Sequence, residues 1–451
     1  MTQMTRRSLT QVGGRVEVWA GADELGQLLV NALEVDSDES AVMNHVHGFH
    51  TYPARMHPDT AAALVAGLSR PNDAVLDPFM GSGTVLVEAR MQGRRTFGVD
   101  ANPLAVALAR LKLFGISAAQ RELFAGVVEA VCEHADARRC AKAGPSRRYS
   151  QAQRAAFDPH VLLELDGVSQ GIEELCPPGL VPAMQLVLSS MIVKVSRRRS
   201  DTNDMAAPRR LASGFVIRFF AKKASELLTR LDEYARRLPP QPLPTKIELG
   251  DARRLPFPDA SVAAVITSPP YPGVYDYVEH HRLRLEWLKF DVGHLERHEI
   301  GAHRHFAKRN DCRAEAEWAT QLGACLAEMA RVLVAGGRAA ILIADAAVAG
   351  RAWHADRALG ELAPHYGFEL AGGASQRRGH FHAPTQSAFN QSVRREHLIV
   401  LRRSSSKSQA SGTPPAAGKP RDRKATQPPG EPQRQFPSPN PRPRRSTTYR
   451  K

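Results

Sequence analysis

The apolar positions of this chain fall into short runs separated by longer amphipathic stretches. Ala74-Val75-Leu76-Asp77 is an apolar run too short for a helix, ends in an acid and reads as a buried strand. A glycine-rich turn follows, Pro78-Phe79-Met80-Gly81-Ser82-Gly83-Thr84, and the pattern then predicts a helix over 84–92. Thr96-Phe97-Gly98-Val99-Asp100 is a second strand ending in an acid, with a helix predicted over 103–113. Lys246-Ile247-Glu248-Leu249 is a third strand and leads into Gly250-Asp251-Ala252. The fourth, 262–267, runs into Ser268-Pro269-Pro270-Tyr271. A long helix over 314–334 is expected to stop at Gly336-Gly337, before a fifth strand over 338–344. A helix near 355–366 and strands near 368–370 and 396–401 close the pattern. Strands alternating with helices predict an α/β fold with a largely parallel sheet.

The interval 115–244 interrupts that alternation. It reads as helical segments joined by loops, with two basic pieces, Arg197-Arg198-Arg199 and Arg209-Arg210. We expect an inserted helical subdomain there. The rest divides into an N-terminal extension (1–44), a catalytic domain in two parts (45–114 and 245–402) and a tail (403–451). The chain has 451 residues, and its formal net charge of +15 is concentrated at the end. From Arg402 onward there are 13 Lys and Arg against two acids, and ten of the 32 prolines. Such a segment cannot bury enough apolar surface to offset its ordering entropy, so disorder is expected. Its charge suits either a solubilising tail or a polyanion-attracting arm. Five cysteines make no disulfide scaffold, and the longest apolar run, 181–195, is too short and too polar to cross a bilayer. These features predict a cytoplasmic protein.

Three acids stand at predicted strand ends, Asp77, Asp100 and Asp251, where open α/β sheets bind ligands. Gly81 and Gly83 let the turn backbone approach a ligand closely. Asp100, following in the next strand, is spaced to accept from ribose hydroxyls. An acid opens the turn and no lysine closes it, which favours a ligand carrying a cationic group over a pyrophosphate. Any one of these acids could be no more than a helix cap. His280 and His281 adjoin one another and so face different sides of a helix, and we expect no metal site.

The motifs Asp77–Thr84 (Asp-Pro-Phe-Met-Gly-Ser-Gly-Thr) and Ser268–Tyr271 (Ser-Pro-Pro-Tyr) together resemble the S-adenosylmethionine-dependent amino-methyltransferases of DNA, which modify cytosine N4 or adenine N6. The stretch 49–58, with Tyr52 and Pro53, looks like that family's further cofactor motif. The resemblance implies a Rossmann-like class I methyltransferase fold with a mixed, mostly parallel seven-stranded sheet. It implies S-adenosylmethionine held by Tyr52, Pro53, Asp77, Pro78, Phe79, Gly81, Ser82, Gly83 and Thr84, with Asp100 on the ribose and Asp251 on the adenine. It makes Ser268, Pro269, Pro270 and Tyr271 catalytic. The Ser268 hydroxyl and Pro269 carbonyl would accept from the amine, and Tyr271 would stack on a flipped base.

Serine at the head of the tetrapeptide tilts the expectation toward cytosine N4. The target would be DNA, in a restriction-modification setting with a cognate endonuclease as a possible partner, and without any membrane. Arg197, Arg198, Arg199, Arg209 and Arg210 are candidates for contacts to phosphates or base edges, or else a solvated basic face. The rival readings are adenine-N6 methylation of DNA, guanine-N2 methylation of tRNA, and a nucleic-acid-binding homologue that has lost activity. The segment Glu299-Ile300-Gly301-Ala302-His303-Arg304-His305 reads as a loop near the catalytic face, with no role assigned.

Overall fold

The computed structural model describes residues 14–21, 23–35, 39–198, 210–307, 312–379 and 383–404. Arg199, Arg209 and the tail from residue 405 lie outside them. The strands are β1 (Glu17–Ala20), β2 (Ala74–Asp77), β3 (Arg95–Asp100), β4 (Thr245–Leu249), β5 (Val262–Thr267), β6 (Leu333–Ala344), β7 (Ala346–Val348), β8 (Arg351–Trp353), β9 (Phe368–Arg377) and β10 (Arg395–Arg403). Eight form one sheet in the order β1-β9-β10-β6-β5-β2-β3-β4, and β7 and β8 pair apart from it. The run β6-β5-β2-β3-β4 is parallel throughout, while β10, β9 and β1 attach antiparallel to one another beyond β6.

Two features differ from the sequence expectation. The sheet has eight strands rather than seven, because β1 from the N-terminal extension pairs with β9 (Glu17 opposite Ser375, Val18 opposite Ala374). The pair Gly336-Gly337 does not separate the helix from its strand. The helix Cys312–Val332 ends earlier, and β6 begins at Leu333 and passes through the glycines. Val262 faces Leu333 and Ala264 faces Arg338, so 334–337 bulge out of the ladder. Gly336 sits at φ +71°, and a Cβ on Gly337 would lie 3.0 Å from the Ala263 carbonyl, so small residues are needed at this bulge.

The central strands β2 and β5 and the second half of β6 are buried on both faces, as crossover helices on each side of a parallel run require, while the edge strands β1 and β4 are largely exposed. Val75 packs with Val65, Val85 and Ile266 on one face, while Leu76 packs with Val265, Leu326 and Met329 on the other. Helix boundaries follow local chemistry. Asn102 caps the helix Pro103–Phe114 by accepting from Leu104 N at 3.0 Å, Pro103 fills its first turn, and Gly115 at φ +65° ends it.

The described part of 115–244 forms the helices Ala118–Cys140, Gln151–Ala156, Pro159–Leu175, Val181–Val195 and Phe215–Ala235. Their apolar faces share one core with Leu104 and Leu108 of the sheet-flanking helix, with Phe49, and with Leu283 and Trp287 of the helix Tyr277–Trp287. Polar bonds reinforce this. His50 Nε2 pairs with Ser189 Oγ at 2.9 Å, and Arg284 reaches both the Ser189 carbonyl and Thr51 Oγ1. The insertion therefore braces the segment that carries Tyr52. A second brace joins His47 Nε2 to Glu88 Oε1 at 2.8 Å. Burial pushes Glu88 up and His47 well down, favouring the uncharged form of each.

Gly83 and Gly126 make a matched test of packing. Gly83 enters the helix Thr84–Met91 at φ +83°, and a Cβ there would lie 3.1 Å from Ala109 Cβ. Gly126, inside Ala118–Cys140, would meet nothing within 4 Å. Gly83→Ala should cost about 1–3 kcal/mol, from left-handed backbone strain and crowding. Gly126→Ala should stabilise by about 0.5–1 kcal/mol. Urea denaturation of both variants checks the opposite signs.

Candidate active site

The order β5-β2-β3-β4 with all four strands parallel sets their carboxyl ends side by side along one edge. Ser268 follows β5, Asp77 ends β2, Asp100 ends β3, and Asp251 follows β4. A cleft opens at that edge, enclosing about 870 Å³ with its mouth included. Of the residues named from sequence, Tyr52, Asp77, Pro78, Phe79, Gly81, Thr84, Asp100, Asp251, Ser268 and Pro270 line it. Pro53, Ser82, Gly83, Pro269 and Tyr271 are not on its wall. Arg197, Arg198 and Arg210 do not reach it either. Arg197 is paired with Asp158 at 2.7 Å, and Arg210 is exposed.

The turn is held by carboxylates. Asp77 Oδ1 accepts from Phe79 N at 3.1 Å and from Thr267 Oγ1 at 2.6 Å, so β2 and β5 are joined at their ends. Asp100 Oδ2 accepts from Gly81 N and Oδ1 from Asn102 N, each at 2.8 Å. Burial pushes Asp77 up to about 7 and Asp100 to about 6, with those hydrogen bonds pulling the other way. Asp251 differs. Burial raises it, but Arg253, which binds both of its oxygens at 2.7–2.9 Å, outweighs burial and holds it below the usual carboxylate value.

Tyr52 lies over the glycine turn. A Cβ on Gly81, which sits at φ +50°, would come within 3.2 Å of the Tyr52 ring, so a glycine is needed at that position. The Tyr52 hydroxyl accepts from Asn102 Nδ2 at 3.2 Å, and its ring stacks on the buried His281 at 4.8 Å. Burial keeps that imidazole neutral, well below its ordinary pKa.

Tyr271 was expected to face the ligand, and its position differs from that. Its residue is 3% exposed, and its ring packs in the core with Ile300 and Trp318. Trp318 Nε1 donates to the Pro270 carbonyl at 3.1 Å, and Gly301 packs against the Tyr271 carbonyl. These contacts fold the tetrapeptide's last residue under the loop. The tyrosines on the cleft wall are Tyr52 and Tyr277.

Asn102, Leu295 and His298, which the sequence reading did not name, also line the cleft, as do Arg55 of the 49–58 stretch and Glu299 and Ile300 of the loop read as lying near the catalytic face. Asn102 was discoverable, two residues beyond an acid at a strand end. The sequence places 299–305 near the catalytic face without a role, and its position on the cleft wall comes from long-range contacts with the loop after Ser268. Among the described residues, no helix is long and apolar enough to cross a membrane.

Residues 17–110 match the family model described as DNA methylase. Two curated relatives align over 69 residues, 15% of this chain. One is the type II methyltransferase M.MjaII of Methanocaldococcus jannaschii, at 36% identity over 13% of its length. The other is the type II methyltransferase M.MvaI of Kocuria varians, at 38% identity over 15% of its length. Among solved structures, a SAM-dependent methyltransferase of Methanosarcina mazei matches at 11% identity and TM-score 0.30, covering 76% of this chain and 97% of that one. The rRNA methyltransferase AviRa of Streptomyces viridochromogenes matches at 12% identity and TM-score 0.32, covering 83% and 96%.

The raised acids have a consequence for stability. Between about pH 4 and pH 7 the unfolded chain gives up protons that folded Asp77 and Asp100 retain, so the folded state loses stability as pH rises through that window. Asp77→Asn keeps an acceptor for Thr267 and removes the charge. Its urea midpoint should match wild type near pH 4 and exceed it at pH 8. A midpoint below wild type at pH 8 would show that the Asp77 charge is not destabilising.

Proposed function

We propose that this chain, whose residues 17–110 match the DNA methylase family model, is a DNA amino-methyltransferase that transfers a methyl group from S-adenosylmethionine to the exocyclic amino nitrogen of a base in DNA. The observation that carries the reading is one cleft lined by both the Asp77–Thr84 turn and the Ser268–Pro270 loop.

The residues fit the cofactor. An acid-held turn without a lysine suits a cationic ligand, and Asp77, Asp100 and Asp251 line one continuous wall. Asp77 would face the methionine ammonium, Asp100 the ribose hydroxyls and Asp251 the adenine amine. When bound, the cofactor supplies an activated methyl: the amine lone pair forms the N–C bond as the S–C bond breaks, its electron pair stays on sulfur, and the nitrogen is left with one proton in excess.

The chain's own part is to make a poor nucleophile reactive and to place it. An aromatic amine delocalises its lone pair into the ring, and hydrogen-bond acceptors on its N–H groups return density to nitrogen. Ser268, on the cleft wall, supplies such an acceptor on a loop stiffened by two prolines and pinned by Trp318. Tyr52 and Tyr277 offer the cleft's ring faces for a base extruded from its stack. Serine at position 268 supports cytosine N4 as the target nitrogen. Arg210, with Arg199 and Arg209, would add phosphate contacts.

Incubation with radiolabelled S-adenosylmethionine and either DNA from a methylation-free host or tRNA tests this. Label should enter DNA and, after digestion, run with N4-methylcytosine. Label in N6-methyladenine would move the base assignment, and label confined to tRNA would overturn the DNA assignment. Asp100→Asn should weaken cofactor binding about 10- to 100-fold, the range for a hydrogen bond to a charged group. Ser268→Ala should slow transfer about 100-fold with cofactor affinity little changed. If calorimetry and transfer rates gave the reverse pattern, the two roles would be misassigned.

A further inference from the structure

The segment 299–305 carries an acid that the reading above does not use. Glu299 lines the same cleft as Ser268 and Pro270. Its neighbours are stitched to the catalytic loop: Gly273 N donates to the Gly301 carbonyl at 3.0 Å, and His303 N to the Tyr275 carbonyl at 2.8 Å. The carboxylate itself is anchored at both oxygens. Oε1 accepts from Tyr277 N and Oε2 from Arg304 Nη1, each at 2.5 Å, and Arg304 is steadied by Asp276 at 2.6 Å. A carboxylate oxygen has two lone pairs, so one hydrogen bond on each leaves acceptor capacity.

Methylation of an amine ends with a surplus proton on nitrogen. Neither a serine hydroxyl nor a proline carbonyl is basic enough to hold a proton near neutral pH. A carboxylate in the wall of the same cleft is. We propose that Glu299 accepts a hydrogen bond from the exocyclic amine of the target base and takes the proton that this nitrogen loses as it gains the methyl group. The inference deepens the methyl-transfer reading of the cleft and rests on it.

The environment tunes the acid for that task. Burial pushes Glu299 up to about 7, and Arg304 pulls it back down. A base poised near the working pH both holds its charge and accepts a proton readily. The other titratable groups near it are Asp276, Tyr52, Tyr277 and His298, and Asp77 and Asp100 line the same cleft. Because those acids titrate in the same range, the pH profile must be compared between wild type and a variant lacking only the Glu299 charge.

The experiment uses the full chain with DNA from a methylation-free host. It measures single-turnover methyl transfer from pH 5.5 to 8.5, together with calorimetric cofactor affinity. Wild-type transfer should rise with pH through an ionisation near 7. Glu299→Gln should lower transfer about 100-fold and remove that ionisation, with cofactor affinity within about threefold of wild type. Glu299→Asp should restore at least about a tenth of the rate, since it keeps the charge. Unchanged cofactor binding shows that both variants are folded. Glu299→Gln retaining more than about a tenth of wild-type transfer overturns the proposal. So does a loss of cofactor affinity beyond about tenfold, which would make Glu299 a cofactor ligand. Wild type transferring no methyl to any nucleic acid would instead overturn the reading of the cleft itself.

Discussion

The two oxygens of the Asp100 carboxylate each accept a backbone N–H, one from Gly81 and one from Asn102, both at 2.8 Å. Through them the ends of β2 and β3 become a single rigid corner. The glycine turn, the Asn102 cap and the helix Pro103–Phe114 are all positioned from that carboxylate. Tyr52 closes the corner from above through its bond to Asn102 and its contact with Gly81. With Asp77 tying β2 to β5 through Thr267, the cleft floor is one hydrogen-bonded frame across three adjacent strands.

That frame is built from groups that water would hold more comfortably. Asp77, Asp100 and Glu299 all have carboxyls raised by burial, and all line one cleft. Buried acids with raised pKa values weaken the fold as pH rises through neutrality. Asp251 is the exception, since Arg253 keeps it charged. The cleft acids therefore divide into three raised by burial and one that Arg253 holds low.

The helices between β3 and β4 also act on the site. They place His50 against Ser189 and Arg284 against both Ser189 and Thr51, so the segment bearing Tyr52 is clamped from the side away from the sheet. Their core is continuous with Leu283 and Trp287 of the helix that starts at Tyr277. Two walls of the cleft are thus supported by residues far away in sequence, and changes in that core will be felt at Tyr52 and Tyr277.

Much of this was legible from local pattern. The strands β2 to β6, the acids at or just past their ends, the glycine turn and the Pro-Pro loop are each written in fewer than a dozen consecutive residues. Apolar alternation, glycine and proline act over that distance. Other features were not legible. The edge strand β1 is four residues long and is defined only by its partner β9. The glycines at 336 and 337 looked like a helix stop, and only the register of β6 against β5 shows them as a bulge. Tyr271 reads as a loop aromatic until Trp318 and Gly301 are seen to fold it inward.

What the sequence alone determined was the set of elements and the chemistry at their ends, because backbone preference and side-chain type are local properties. Which ends meet, which tyrosines face the cleft, and that an acid some thirty residues beyond Ser268 completes its wall were decided only by the tertiary structure. Burial, carboxylate pKa and hydrogen-bond partnership depend on neighbours brought together by packing, and no window along the chain contains them.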